Sequence, residues 1–144
     1  MRFTEREMTV GIDLVAQRMH AAMRGPFRKR DAAAAWDDLA AFAKYQQRAA
    51  VGEAVIPALL ALPDRPTVGA TPEFSAAEYE AAAEESTRSL LEVRKPGAWD
   101  GMSAKKRGRL TRATAALTRS VVEAMPVRQD PDALIVPDDL GGLS

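Results

Sequence analysis

Residues 3–8 have the sequence FTEREM, and residues 74–79 have the sequence FSAAEY. In each segment a threonine or serine is followed three positions later by a glutamate, which is the pattern of a capping box at the N-terminus of a helix. An apolar residue stands on either side of each box, as in a hydrophobic staple. Apolar residues then recur at spacings of three and four, on one face of a helix. The two segments therefore predict two helices that begin in the same way.

A second pair of helices is indicated further along the chain. The dipeptide Trp-Asp occurs at residues 36–37 and again at 99–100, and an apolar residue follows three positions after each tryptophan. Both segments end in an apolar residue and a proline, at residues 62–63 and 125–126. The two Trp-Asp dipeptides are 63 positions apart, and so are the two final prolines. The starts of the first helices, in contrast, are 71 positions apart. The first half therefore has 8 extra residues in its loop, within the segment RGPFRKRDAAAA.

These matches predict an all-α protein, an antiparallel four-helix bundle built from two duplicated helical hairpins. The hairpins span residues 3–63 and 74–126, and a proline-rich linker, residues 64–73, joins them. Residues 1–126 then form one helical domain, and residues 127–144 form an irregular acidic tail. The alternative explanation is coincidence in an alanine-rich chain, because few residues of the second helices are identical.

The helical periodicity also predicts which side chains form the core. A helix in a bundle buries one apolar face against its neighbours, and the members of that face recur at spacings of three and four. We expect the following residues to be largely buried: Met8, Ile12, Val15, Met19, Leu39, Phe42, Val55, Leu59, Leu90, Leu110, Leu117 and Val121.

Charge is unevenly distributed along the chain, although the formal net charge is +0. In an up-and-down bundle both hairpin loops lie at one end. The candidates for binding an anionic group are the cations of these loops, namely Arg28, Lys29, Arg30, Lys105, Lys106, Arg107 and Arg109. The opposite end collects carboxylates from the helix starts and the tail, namely Glu5, Glu7, Glu73, Glu78, Glu80, Asp130, Asp132, Asp138 and Asp139.

Lys105, Lys106 and Arg107 lie in the first turn of the last predicted helix. The helix dipole makes a positive charge unfavourable there, by about 0.3–1 kcal/mol for each residue. The free amides of a helix N-terminus also attract anions. One interpretation is therefore a surface that binds phosphates or carboxylates. The other is a solvated face that tolerates a small loss of stability.

Trp36 and Trp99 stand just before their predicted helices, at the basic end. An exposed indole there could stack on a nucleic-acid base or on an arginine. A tryptophan in this position can also close the end of a core. The repeated spacing to the next apolar residue favours the second interpretation.

The sequence contains no recognisable set of catalytic or metal-binding residues. Cysteine is absent and His20 is the single histidine, so the usual histidine and cysteine ligand sets cannot be assembled. No serine lies in a nucleophile elbow, and the glycines form neither a dinucleotide-binding nor a phosphate-binding loop. We therefore expect no enzymatic activity, no cofactor and no metal.

These observations predict a non-enzymatic interaction protein that contacts an acidic partner, or a second copy of itself, through the basic end. The alternative is a nucleic-acid-binding accessory or regulatory protein that uses the same surface. No apolar run approaches the roughly 18 residues of a membrane span. We therefore expect a cytoplasmic protein that has no membrane partner.

Overall fold

The computed structural model describes residues 1–23 and 32–129, and within these ranges all regular secondary structure is helical. The prediction of an all-α protein is confirmed. Five helices pack together: α1 Glu5–Met23, α2 Ala32–Asp37, α3 Ala41–Ala61, α4 Ala76–Arg94 and α5 Ala104–Ala124. None of these described helices is long and apolar enough to cross a membrane.

Both predicted capping boxes are present. At the start of α1 the backbone N–H of Glu7 donates to the Thr4 hydroxyl over 3.1 Å, and the Thr4 N–H donates to Glu7 Oε1 over 2.8 Å. Ser75 and Glu78 make the same two bonds before α4, also at 3.1 and 2.8 Å. Each box satisfies two backbone donors that a helix start leaves free. Both helices therefore begin where the sequence pattern predicts.

The four long helices match in pairs. α1 and α4 contain 19 residues each, and their bounds are 71 positions apart, from 5 to 76 and from 23 to 94. α3 and α5 contain 21 residues each, and their bounds are 63 positions apart, from 41 to 104 and from 61 to 124. These are the two separations found in the sequence.

The core is centred on α3 and α5. These helices pack against each other, α1 and α4 each pack against both of them, and α2 packs against α1. The largest fully buried side chains all come from the central pair, namely Val55, Leu59, Thr118, Val121 and Val122. The most deeply buried large side chains thus lie on α3 and α5, and α1 and α4 pack over them.

The predicted second helix begins later than the sequence indicates. Trp36 was expected to precede it directly, but Trp36 lies inside α2 and α3 starts at Ala41. Residues 38–40 form a turn, in which the Leu39 N–H donates to the Trp36 carbonyl over 3.0 Å. Asp37 is the last residue of α2, and a carboxylate is unfavourable at a helix C-terminus. α2 ends at Asp37 in spite of this cost, and α3 begins after the turn.

Five of the twelve predicted core residues are buried, five are only partly buried, and two are exposed. Met19 is 40% exposed and Phe42 is 69% exposed. Phe42 lies about 140° around α3 from the buried Val55, at 100° per residue, so it faces away from the core. Met19 continues the buried face of α1, but the buried residues of that helix end at Ala16. The other predicted members are buried or partly buried: Met8, Ile12, Val15, Leu39, Val55, Leu59, Leu90, Leu110, Leu117 and Val121.

Candidate functional site

Three of the predicted cations form an exposed cluster at the start of α5. Lys105, Lys106 and Arg109 are exposed, and none of them forms an ion pair with another residue in the described ranges 1–23 and 32–129. We call these three residues the basic cluster. The cations predicted in the first loop, Arg28, Lys29 and Arg30, lie outside the described residues.

Arg107, the fourth predicted cation of α5, is engaged within the chain. Its Nε donates to the Trp99 carbonyl over 2.8 Å, and its Nη2 donates to the Asp100 carbonyl over 2.9 Å. The guanidinium also lies 5.6 Å from the centre of the Trp99 ring, close enough for a cation–π attraction. Arg107 therefore fastens the turn before α5 to the helix itself, and two of its five N–H donors are used within the chain.

The N-terminus of α5 carries half of a capping box. The Ser103 hydroxyl accepts the backbone N–H of Lys106 over 3.2 Å, as Thr4 and Ser75 do at the other two helices. The third helical position is occupied by Lys106, whereas α1 and α4 have glutamate there. A lysine cannot accept the Ser103 N–H, and the dipole disfavours Lys105 and Lys106 in this turn. Lys105 and Lys106 therefore lower the local stability of this helix start.

Both tryptophans are buried, Trp36 to 3% and Trp99 to 5% exposure. The Trp36 ring meets the ring of His20 edge-on at 6.0 Å, and the guanidinium of Arg48 lies 5.7 Å from its centre. Trp36 packs within the core, which agrees with the interpretation that its indole closes the core, whereas Trp99 is buried outside that cluster of core residues. Neither ring is exposed enough to stack on a nucleic-acid base.

A stripe of exposed apolar residues runs along the outer face of α3, and the sequence spacing does not predict it. Its exposed members recur at helical spacing and are Phe42, Tyr45, Ile56 and Leu60. The residues 63 positions later in α5 are Lys105, Gly108, Arg119 and Glu123. The outer face of α3 thus carries four apolar residues together with the exposed Glu53, whereas three of the four corresponding positions of α5 are charged. Sequence spacing alone assigns Phe42 to the core because both faces of α3 are rich in apolar residues.

Arg65, in the linker after α3, forms an ion pair with the capping-box glutamate of α4. Its two terminal nitrogens donate to the two Glu78 carboxylate oxygens over 2.9 and 2.7 Å, and its guanidinium lies 5.0 Å from the centre of the Phe74 ring. The hydrogen bonds from Arg65, and then from the Ser75 N–H, lower the pKa of Glu78 from 4.5 to about 2. The predicted acidic end therefore contains a cation that neutralises one of its carboxylates.

Replacing Glu78 with glutamine is expected to make the protein less sensitive to acid. Because the pKa of Glu78 is lower in the folded state, the stabilisation is complete above the ordinary value of 4.5 and is lost as the pH falls toward about 2. Thermal melts from pH 7 to pH 2 should therefore show parent and Glu78→Gln converging as the pH falls. The control is Glu84→Gln, at an exposed position of the same helix. A gap between parent and Glu78→Gln that stays constant down to pH 2 would contradict this assignment.

Arg128, after α5, faces the other capping-box glutamate in a looser arrangement. Its Nε lies 3.7 Å from Glu7 Oε2, and its guanidinium lies 5.9 Å from the centre of the Phe3 ring. Neither arginine pair is predicted from the sequence, although the sequence contains a signal for them. Arg65 and Arg128 are 63 positions apart, and the glutamates they face are 71 positions apart, which are the separations of the predicted hairpins.

Comparisons with known proteins add no function. The chain matches no protein-family model, no curated protein and no solved structure. Within residues 1–23 and 32–129, no group of three or more histidine, cysteine or acidic side chains could hold a metal ion.

Proposed function

We propose that this protein is a non-enzymatic interaction protein that binds an acidic protein partner through the basic cluster of Lys105, Lys106 and Arg109. The observation that carries the proposal is the start of α5, where two exposed lysines occupy the first turn without an ion-pair partner in the described ranges. Cations beside the free amides of a helix N-terminus attract carboxylates. Since both tryptophans are buried, they cannot supply stacking rings, which favours an acidic protein over a nucleic acid.

The four long helices, in our proposal, form an antiparallel bundle of two copies of one hairpin. The matching helix lengths and separations support a duplication. The buried faces support it as well, because the buried residues Gly52, Val55, Ala58 and Leu59 of α3 recur 63 positions later as the buried residues Ala115, Thr118, Val121 and Val122 of α5. The antiparallel course is supported by the ammonium group of Met1, which donates to the Leu59 and Leu60 carbonyls at the end of α3 over 3.1 and 3.0 Å.

The arginine contacts support the same duplication. Arg65 also donates to the Glu73 carbonyl over 2.6 Å, and Arg128 donates to the Arg2 carbonyl over 2.8 Å. Glu73 and Arg2 are 71 positions apart, as Glu78 and Glu7 are. Each arginine follows one hairpin and contacts the start of the other. Such reciprocal contacts are expected for two copies related by an approximate two-fold axis.

The proposed duplication allows the basic cluster of α5 to be compared with the corresponding positions of α3, where the same hairpin has other residues. The residues 63 positions before Lys105, Lys106 and Arg109 are Phe42, Ala43 and Gln46. α3 has the same length as α5 without a cation at any of these positions. The hairpin fold therefore does not require the cations, which favours a role in binding.

Changing Lys105 and Lys106 together to glutamate is expected to raise stability and to weaken binding. Glutamate at position 106 would complete the capping box with Ser103, and negative charge suits the first turn, so the melting temperature should rise by an amount equivalent to about 0.5–1 kcal/mol. Affinity for poly-glutamate should fall about tenfold or more, because attraction is replaced by repulsion. Thermal melts and titrations at low and moderate salt measure the two effects.

The matched control is the double variant Arg18→Glu and Arg88→Glu. Both arginines are exposed on helices α1 and α4, and the change in net charge is the same. The control should keep most of the poly-glutamate affinity. Equal binding by the parent and the lysine variant would show that the basic cluster is only a solvated face. Tighter binding of short duplex DNA, with a steep linear dependence on salt in log–log terms, would favour the nucleic-acid alternative. Self-association that the lysine variant abolishes would identify a second copy as the partner.

A further inference from the structure

A cavity of about 580 Å³ lies between the start of α1, the linker after α3 and the segment after α5. Its volume is in the range typical of small-molecule sites. Apolar groups form most of its wall, and its lining residues include Pro66, Val68, Pro126, Val127, Arg6 and Arg128. None of the basic-cluster residues lines this cavity, so the two sites can be tested separately.

The carboxylate of Glu7, which also lines the cavity, is not fully paired. Glu7 is only 4% exposed, and its Oε1 accepts the Thr4 N–H. Its Oε2 is covered from solvent and has no hydrogen-bond partner within the described part of the chain. The nearest cation, Arg128, keeps its Nε 3.7 Å away, which is longer than a hydrogen bond. An acceptor buried in this way calls for an explanation.

The pair formed by Arg65 and Glu78 provides the comparison. There the guanidinium closes on the carboxylate with two hydrogen bonds of 2.9 and 2.7 Å. The arginine and glutamate are therefore hydrogen-bonded in one half of the molecule, which we call the closed pair. In the other half they are too far apart for a hydrogen bond, and we call this the open pair. The cavity lies at the open pair. This difference indicates that Arg128 is held in position to serve a second acceptor on the cavity side.

The charges at the cavity select an anion. Glu7 Oε2 is covered from solvent, whereas the Arg128 side chain is 22% exposed and lines the cavity. The Nη1 of Arg128 has just one acceptor among residues 1–23 and 32–129, the Met1 sulfur at 3.9 Å, and a thioether is a weak acceptor. Arg6 adds a second guanidinium to the wall. The N-terminus of α1 adds the positive end of a helix dipole.

We propose that this cavity binds a small organic carboxylate with an apolar body. The carboxylate accepts from Arg128 Nη1, with Arg6 beside it, and the apolar body packs against the proline and valine side chains. Arg128 is then shared between the ligand and Glu7, which accounts for the open geometry of that pair. The site is separate from the basic cluster and does not depend on the proposed binding of an acidic protein.

The test uses the full chain and three probes with the same apolar body: octanoate, octylammonium and octanol. Isothermal titration should give a Kd for octanoate about tenfold or more below that for octylammonium, since a charge-assisted bond forms only with the anion. Arg128→Gln should weaken octanoate binding about tenfold and leave octanol binding unchanged. Arg65→Gln, at the closed pair, should change octanoate affinity by less than about twofold, because Arg65 does not line the cavity.

A second pair of variants keeps the test decisive if Arg128→Gln does not fold. Val68 is exposed and lines the cavity, so Val68→Glu and Val68→Lys should both fold. Val68→Glu should weaken octanoate binding, and Val68→Lys should strengthen it. The proposal is wrong if the parent binds none of the probes, if it binds all three equally, or if the two Val68 variants behave alike. The variant with glutamate at positions 105 and 106 should bind octanoate with the same affinity as the parent. The test of the cavity is therefore independent of the test of the basic cluster.

Discussion

Replacing Leu59 with alanine is expected to lower the free energy of unfolding by about 2–5 kcal/mol. Leu59 is 0% exposed and belongs to the set of largest fully buried side chains. Truncation removes apolar contacts and leaves a cavity that the surrounding helices can close only in part. Urea denaturation, followed by circular dichroism at the helical band, measures the loss.

Leu60→Ala is the matched control, because it deletes the same atoms from the adjacent residue. Leu60 is 61% exposed, and its truncation should cost less than about 1 kcal/mol. The carbonyls of both residues accept the Met1 ammonium, and these backbone contacts remain in both variants. Similar losses at the two positions would mean that the buried face of α3 has been assigned incorrectly.

Replacing Gly11 with alanine is expected to destabilise the protein by about 1–3 kcal/mol, the usual cost of overpacking. A Cβ atom at this position would lie 2.6 Å from the Val121 carbonyl oxygen and 3.0 Å from Val121 Cγ1. The close atom belongs to the backbone of α5, so α1 and α5 would have to move apart. At an open helical site the same substitution stabilises by about 0.5–1 kcal/mol. The sign of the effect therefore reports how closely these helices approach each other.

Gly52→Ala controls for the intrinsic preference of a helix for alanine. Gly52 is buried in α3, and the nearest atoms to an added Cβ are Ile56 Cδ1 at 3.5 Å and Ile12 Cδ1 at 3.7 Å. These are ordinary contacts, and the residue 63 positions later, Ala115, is itself a buried alanine. We expect Gly52→Ala to be stabilising by about 0.5–1 kcal/mol. Denaturant melts in which Gly11→Ala is as stable as Gly52→Ala would show that α1 and α5 are further apart than described.

The sequence predicts the start of α1 and of α4, because the residues that decide a helix start are close neighbours in the chain. Thr4 with Glu7 and Ser75 with Glu78 form their hydrogen bonds within one turn, so their spacing is sufficient evidence. The sequence also predicts most of the core, because apolar spacing identifies a buried face. It fails at Phe42, where α3 carries a second apolar face and only its neighbours decide which one is covered.

The candidate site is less accessible to such reasoning, because its contacts join residues that are distant in the chain. The sequence alone determines the all-helical character, the capping boxes and the positive charge at the start of α5. Packing decides that Arg107 donates a hydrogen bond to the Trp99 carbonyl, while Lys105, Lys106 and Arg109 stay exposed. Packing also brings Arg65 onto Glu78 and Arg128 toward Glu7, across 13 and more than 100 positions. Local hydrogen bonds are encoded by spacing, whereas the pairing of distant charges is settled only when the helices bury their apolar faces and bring those charges together.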